Sequence, residues 1–315
     1  MADLHVIFGT GPAGTWTARS LAEAGRSVRA VNRSGKRPEL MPESVEVVAV
    51  ADASDPAQAA GAADGASVVY QCMNPPYHQW PELFPGLQRG AIEAAKRAGA
   101  RYVSLENLYM YGKVDGAMSE TTPVAPTARK GRVRAAMAEE LLDMQRKGEL
   151  EVAQARASDY YGPLVTDSAM GSRTFEPLLA GKRAEVTGSA DVVHSYAYIE
   201  DVGRGLATLG THDEAFGEVW ILPHAPARTP REMLVPAFKA ADLEPKYSAV
   251  GPLTIRLAGL FMPGARETVE MMYEFTRPFE VDSSKFERQF GMSATPPREA
   301  MRRTVEWYKT RASNS

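Results

Sequence analysis

The stretch from Leu4 to Gly14 constrains the fold of this chain more than any other. Leu4-His5-Val6-Ile7-Phe8 is a short apolar run that ends directly in Gly9-Thr10-Gly11-Pro12-Ala13-Gly14. A helical pattern follows to about Ala24, with Trp16, Ala18, Leu21 and Ala22 at helical spacing, and Gly25 stops it. A strand that turns through glycines into a helix is the opening unit of a parallel sheet. The rest of the first half continues the alternation. Further strands are predicted at Val28–Val31, Val45–Val50, Ala66–Gln71, Arg101–Leu105 and Glu151–Arg156, with helices at about Trp80–Ala98 and Thr127–Arg146. This order predicts an α/β fold of the Rossmann type, a doubly wound parallel sheet with helices on both faces.

The second half is less regular. Ser195–Leu209 reads as a short strand entering a helix, and Glu218–Leu222 as a further strand. Thr229–Ala241 and Arg298–Lys309 read as amphipathic helices. The stretch Phe261–Phe279, rich in Met, Phe and Tyr, reads as helix and loop with an apolar face, and the tail from Ala312 to Ser315 as frayed. The expected division places a dinucleotide-binding part at 1–160, with 193–222 returning to it. A smaller, mostly helical substrate-binding region takes 161–192 and 223–315.

Each glycine of the loop has a distinct task. Gly9 allows the tight turn, Gly11 lets the backbone approach a pyrophosphate, and Gly14 lets helix and strand pack closely. The exposed N–H groups of Thr10, Gly11, Ala13 and Gly14, with the helix dipole behind them, favour a diphosphate. Pro12 loses no hydrogen bond in a first helical turn. The end of the second strand then selects the nucleotide. A carboxylate there would bind a ribose 2′-hydroxyl, but the chain has Asn32-Arg33-Ser34-Gly35-Lys36-Arg37, cationic and without an acid. A guanidinium matches a 2′-phosphate in charge and geometry, so NADP(H) is expected, with Arg33 the main contact and Asn32 and Ser34 in support. Asp52 and Ala53, after the third strand, are placed to read an adenine amino group.

Several further segments, in order, resemble the short-chain dehydrogenase/reductase superfamily, in its extended or atypical branch of epimerase/dehydratase-like proteins. They are Asn74-Pro75-Pro76, Tyr109-Met110-Tyr111-Gly112, Arg156-Ala157-Ser158-Asp159-Tyr160-Tyr161-Gly162-Pro163 and Ser195-Tyr196-Ala197-Tyr198-Ile199-Glu200-Asp201-Val202. The resemblance implies cofactor contacts from Met73, Asn74 and Pro75, from Leu105, and from Arg134. It also implies a Ser or Thr after the fifth strand and a Tyr-x-x-x-Lys pair on the next helix. Those positions fall on Asn107, Lys130 and Arg134, so all three functional groups are replaced. Lys130 and Arg134 share one helix face. Arg134 can donate to ribose hydroxyls. Lys130, beside that cation and an oxidised nicotinamide, is expected to have its ammonium form disfavoured. Asn107 can donate to a carbonyl, and Tyr109 is the nearest phenol in sequence, with Tyr77, Tyr160 and Tyr161 as alternatives. Asn107, Tyr109 and Lys130 are the candidate catalytic residues.

Composition narrows the classes. Lys and Arg total 36 against 39 Asp and Glu, a formal net charge of −3, so no basic field points to nucleic acid. The single cysteine, Cys72, and five scattered histidines give no metal-ligand spacing, so no metal is expected. No apolar run suits a membrane span and no leader pattern opens the chain, so a cytoplasmic location is expected. The leading expectation is an NADP(H)-dependent oxidoreductase. It would pass hydride from NADPH to a polarised C=O, C=N or conjugated C=C of a small organic substrate. The alternatives are an NADP(H)-binding regulator without turnover, and a cofactor-retaining epimerase or dehydratase. A homodimer through the two long helices is a family-level expectation.

Overall fold

The computed structural model of the chain describes residues 3–258, 260 and 267–313. Its centre is a seven-stranded, fully parallel sheet. In chain order the first half runs β1 Leu4–Phe8, α1 Pro12–Glu23, β2 Ser27–Asn32, β3 Glu46–Ala49, α2 Pro56–Ala62, β4 Ala66–Gln71, α3 Trp80–Ala98, β5 Arg101–Glu106, β6 Ala117–Met118, α4 Arg129–Arg146 and β7 Val152–Arg156. The second half adds β8 Tyr160–Tyr161, α5 Ser172–Leu179, β9 Ala184–Thr187, β10 Ala197–Tyr198, α6 Ile199–Thr211 and β11 Val219–Ile221. It continues with α7 Pro230–Ala241, β12 Tyr247–Val250, α8 Pro252–Ala258, β13 Glu280–Val281, α9 Ser284–Phe290 and α10 Pro297–Ser313.

The strand order is β11-β7-β5-β4-β1-β2-β3. The chain winds outward from β1 to β3, then returns to the other side of β1 with β4. The switch point therefore lies between β1 and β4, and loops at the carboxyl ends of these strands border a crevice there. Side chains alternate between the two faces of each strand. On one face Ile7, Ala30, Tyr70, Val103 and Ala155 pack with α1 and α6; on the other, Val6, Phe8, Val31, Val69, Tyr102 and Val152 pack with α2, α3 and α4. α6 lies against α1 because Gly203 has no side chain: a Cβ there would sit 2.5 Å from Trp16. A separate core of Phe175, Leu178, Leu234, Phe238, Met301, Val305 and Tyr308 holds α5, α7 and α10 together.

Several elements depart from expectation. α2 was not foreseen. Asp55 caps it by accepting from the N–H groups of Ala57 and Gln58, and Pro56 starts it. The short pairs β9–β12, β8–β10 and β6–β13 carry no alternation long enough to read in sequence. Of the tail expected to fray, Ala312 and Ser313 are helical and residues 314–315 lie outside the described residues; Trp307 and Tyr308 anchor the helix, the Tyr308 hydroxyl donating to Val165 O at 2.5 Å. Residues 261–266 of the expected Met-, Phe- and Tyr-rich stretch lie outside the described residues. From Val269 to Phe275 it forms a 3-10 helix whose Met271, Met272, Glu274 and Phe275 are buried.

One buried polar cluster ties the sheet to its loops. Arg156 Nε donates to Glu106 Oε2 at 3.0 Å, Nη1 to the Tyr111 hydroxyl at 2.6 Å, and Nη2 to Gln154 Oε1 at 3.0 Å. Ser104 Oγ donates to the other Glu106 oxygen at 3.1 Å. Both charged side chains are 3% exposed or less. Removing one member leaves a buried charge without its partner. Arg156→Met is expected to lower the unfolding free energy by about 3–5 kcal/mol, and adding Glu106→Gln to restore a large part of it. Guanidinium titration of the two variants and the parent checks this.

Candidate functional site

The crevice is built by loops leaving the carboxyl ends of β1, β2, β4, β5 and β7. At β1, Gly9 has φ +99°, and a Cβ there would lie 2.7 Å from the backbone of Cys72 and Met73 at the end of β4. A Cβ on Gly14 would fall 1.9 Å from Gly9 O. The protein's own packing therefore demands both glycines. Gly11 differs: a Cβ there would meet no atom within 4 Å. It stands as the N-cap of α1 with no capping side chain, and the first turn holds no acid. The first-turn N–H groups of Ala13 and Gly14 have no acceptor within the helix, Pro12 has no N–H to compete with them, and the backbone just before them is open at Gly11. These features fit a bound diphosphate. Thr10 stiffens the loop: its carbonyl accepts from Thr15 Oγ1 and its hydroxyl from Asn32 Nδ2, each at 3.1 Å.

Asn32 organises the loop after β2. Its Oδ1 accepts from Ser34 N at 3.0 Å and Gly35 N at 2.7 Å, and its Nδ2 donates to Lys36 O at 2.9 Å. Ser34 Oγ donates to the same Oδ1 at 3.3 Å. Arg37 is committed elsewhere, to Pro42 O and Val45 O. Arg33 is exposed and makes no hydrogen bond or ion pair with a described residue. Asp52 holds its own turn, Oδ1 accepting from Ser54 N and Oγ at 2.9 and 2.6 Å, and these bonds set its carboxyl below the usual range. Ala53 is buried where α3 crosses it at Gly90. Met73 is half-buried and Asn74 exposed, while Pro75 is buried with its carbonyl accepting from Trp80 Nε1 at 3.1 Å.

Of the candidate catalytic residues, Asn107 and Tyr109 share one turn, and Lys130 reaches Tyr109 only through Tyr77. Asn107 Oδ1 accepts from Tyr109 N at 3.3 Å, leaving its Nδ2 unspent. The Tyr109 hydroxyl is 3.5 Å from that of Tyr77, and its ring stacks on Trp80 at 5.9 Å. Lys130 Nζ sits 4.3 Å from the centre of the Tyr77 ring. Burial, with the nearby Glu274 and Asp159 adding to it, raises the phenols of Tyr77 and Tyr109 far above their ordinary range. Tyr161 lies elsewhere, buried against Tyr198.

Two placements differ from expectation. Arg134 is buried, donating to Leu105 O at 2.9 Å and lying 4.6 Å over the Phe84 ring, so these two candidate cofactor contacts engage each other. Lys130 is 1% exposed and is held by Glu270 at 3.0 Å and by Glu267. The repulsive setting expected for its ammonium is instead a cage of two carboxylates. Glu270 does more: its oxygens accept from Arg129 N at 2.7 Å and Lys130 N at 3.3 Å, capping α4, which has no side-chain cap of its own. Burial opposes ionisation of Glu270, but the two N–H groups and Lys130 bring its carboxyl below the ordinary value.

Sequence reasoning missed the contribution of the Val269–Phe275 turn and its neighbours. His194 Nδ1 donates to Glu274 O at 3.1 Å and Nε2 faces Asp159 Oδ2 at 3.0 Å. The ring is clamped between Phe275 and Phe279 at 5.2 and 4.8 Å. The only sequence signal was an acid pair, Glu270 and Glu274, at helical spacing in an apolar stretch. Among the described residues no group of side chains is arranged to hold a metal, and no helix is long and apolar enough to cross a membrane.

The match to known proteins agrees with this geometry. A family model described as the NAD dependent epimerase/dehydratase family matches residues 6–221, and the chain belongs to that family. Among solved structures, an epimerase from Methanothermobacter thermautotrophicus is similar with TM-score 0.81 and 18% identity, covering 99% of this chain and 94% of the other. The dTDP-glucose 4,6-dehydratase DesIV of Streptomyces venezuelae, solved with NAD and TYD, gives TM-score 0.79 and 18% identity over 98% of both chains. The UDP-glucose 4-epimerase of Thermotoga maritima, solved with UDP-glucose, gives 0.77 and 17% over 98% of this chain and 99% of the other. At such identities the likeness is one of fold. No match is found among curated proteins.

A buried histidine steadies the loop that carries Asp159. His224 Nε2 accepts from Ser158 N at 3.1 Å and its Nδ1 donates to Leu222 O at 2.6 Å, which defines the neutral ring. Burial lowers its pKa to about 4, from 6.5. The unfolded chain therefore binds the extra proton first. Stability from this group is complete above about pH 6.5 and is lost as pH falls toward 4, by on the order of 3 kcal/mol. Denaturation measured between those pH values should show this slope, and His224→Gln should flatten it.

Proposed function

We propose that this chain binds a nicotinamide dinucleotide across the β1/β4 crevice and catalyses hydride transfer on a small polarised substrate beside Asn107 and Tyr109. The open cradle at Gly11 carries the proposal. Gly9 and Gly14 answer to the chain's own packing, whereas the space at Gly11 suits a ligand's phosphates. When bound, the nicotinamide supplies a site that gives or takes hydride. The chain's own residues do the rest: Ala13 and Gly14 N–H groups hold the diphosphate, Asn107 Nδ2 orients a substrate oxygen, and Tyr109 gives a proton. Lys130 enters as a positioning residue, fixing the Val269–Phe275 turn over the edge. Its replacement of the family's tyrosine, and that of the lysine by Arg134, belong to the same proposal.

Family membership favours a cycle in which one retained cofactor is reduced and reoxidised within a turnover, as in an epimerase or dehydratase. This takes precedence over the net reduction by NADPH expected from the residues alone. One observation favours net reduction as a second reading. Tyr77 and Tyr109 carry their protons in the resting site, so a first step that consumes a proton, as carbonyl reduction does, needs no prior deprotonation. For the cofactor itself, exposed Arg33 without a protein partner supports NADP(H) over NAD(H).

Nucleotide released on denaturing the purified protein decides between these readings. Stoichiometric nicotinamide dinucleotide supports retention. Empty protein that oxidises NADPH with aldehydes, ketones, imines or enones supports net reduction. Binding without turnover leaves a regulator, and no binding of any pyridine dinucleotide overturns the proposal. Arg33→Ala is expected to weaken NADPH binding by roughly 10–100-fold, the worth of a charge-assisted contact, with NADH changed by about twofold or less. Fluorescence titration with both nucleotides measures the difference, and equal losses would refute the 2′-phosphate contact.

A further inference from the structure

His194 is 3% exposed and meets an acceptor at each ring nitrogen. Nδ1 lies 3.1 Å from Glu274 O, and Nε2 lies 3.0 Å from Asp159 Oδ2. A backbone carbonyl and a carboxylate accept hydrogen bonds and donate none, whereas a neutral imidazole has one N–H and one lone pair. A neutral ring would therefore aim its lone pair at an oxygen on one side or the other, away from water. Ser158 Oγ also approaches Nε2, at 3.4 Å, and a hydroxyl can take either role. The faces of the ring agree with its edges. Phe275 and Phe279 stack on it at 5.2 and 4.8 Å, within 12° and 11° of parallel, and an aromatic face attracts a cation.

We propose that His194 is held as an imidazolium paired with Asp159, and that its second ring proton latches the Val269–Phe275 turn to the loop after β7. The backbone makes the ring a fixed post. His194 N donates to Arg228 O at 2.9 Å, Phe279 N to Val193 O at 3.1 Å and Ser195 N to Phe279 O at 2.8 Å. From that post Nδ1 holds the turn near its end, at Glu274, while Lys130 and the start of α4 hold it near its beginning, at Glu270. His194 is thus a positioning residue and the second fastening of this turn. The latch stands apart from any reading of the nucleotide cradle.

Loss of the proton leaves one N–H for two acceptors. If it stays on Nδ1, Asp159 faces a lone pair; if it moves to Nε2, Glu274 O does. One contact goes either way, so the latch holds at lower pH and loosens as pH rises. The titratable groups around the ring are Asp159 from the loop after β7, Glu274 from the turn, Tyr196 at 4.3 Å, and His224, which accepts from Ser158 N. Burial pushes the Glu274 carboxyl and the Tyr196 phenol up and His224 down, so each favours its neutral form. Arg228 meets His194 through its backbone, and its side chain is exposed. Asp159 is left as the counter-ion.

Nitrogen-15 NMR of the full chain, labelled in its five histidines, reads the ring directly, with His194→Gln identifying its signal. At pH 7.5, where an ordinary histidine is about nine-tenths neutral, both His194 nitrogens should carry a proton. Raising the pH should remove one of them. Along the same curve the amides of the turn, corrected for the intrinsic pH dependence of exchange, should exchange roughly tenfold or more faster, the worth of a hydrogen bond from a charged donor. Asp159→Asn separates charge from packing. Its amide can donate to a neutral Nε2, so the ring should become neutral with its proton on Nδ1, and exchange in the turn should lose its pH dependence. A neutral His194 at pH 7.5 in the parent, turn exchange that ignores the titration of the ring, or a doubly protonated ring in Asp159→Asn at that pH would overturn the inference.

Discussion

Three stretches of backbone meet at one point in this molecule, and the rest of the site is arranged around that contact. The turn after β1, the first turn of α1 and the end of β4 approach so closely that no side chain fits between them at Gly9 or Gly14. A methyl at Gly14 would overlap a carbonyl oxygen. The contact fixes where α1 begins relative to the sheet, and so where its free N–H groups point. It also places that helix end at the strand-order switch, where loops on either side diverge and leave room for a ligand. Gly11, one residue before the helix, is spared the crowding, and the cradle exists because of that asymmetry.

The Arg156–Glu106 pair performs a comparable task on the other side of the crevice. It cross-links the carboxyl ends of β5 and β7, the strands whose loops carry Asn107 and Asp159, and holds the Tyr111 hydroxyl as well. A buried ion pair is a poor source of net stability, because desolvation offsets most of the attraction. Its geometry is demanding, however, and a fixed guanidinium with three separate acceptors tolerates only one relative position of the two strand ends. The cluster is therefore better understood as setting the register of the site's loops than as strengthening the sheet.

The sheet was legible because its signals are local. The strands of the sheet and helices α1, α3 and α4 announce themselves by apolar period, the helices also by a glycine just past the end, and the first-strand loop carries its chemistry within six residues. The end of β2 was legible for the same reason: the missing acid and the cations sit beside one another, although the use of Asn32 as the organiser of its own turn needed coordinates. The turn from Val269 to Phe275 was not legible. Glu270 reaches α4 across 140 positions of sequence, and nothing in the composition of Glu270-Met-Met-Tyr-Glu274-Phe says which helix it will cap. A helix start at Ala128 without a capping side chain is a gap in one segment whose remedy lies in another. Lys130 was misjudged by the same route: its neighbours in sequence are cations, but its neighbours in space are carboxylates.

That exchange gives Lys130 a structural task. In the resemblance, the residue at Lys130 faces the substrate and handles its proton. In this chain the side chain turns to two acids of a distant turn and, with the α4 N–H groups, fastens that turn over the edge of the sheet. The fastened turn carries Tyr273 and Glu274 as well. The Lys130 charge is met within the protein by Glu267 and Glu270. One buried lysine thus anchors a turn that lies some 140 positions away in sequence.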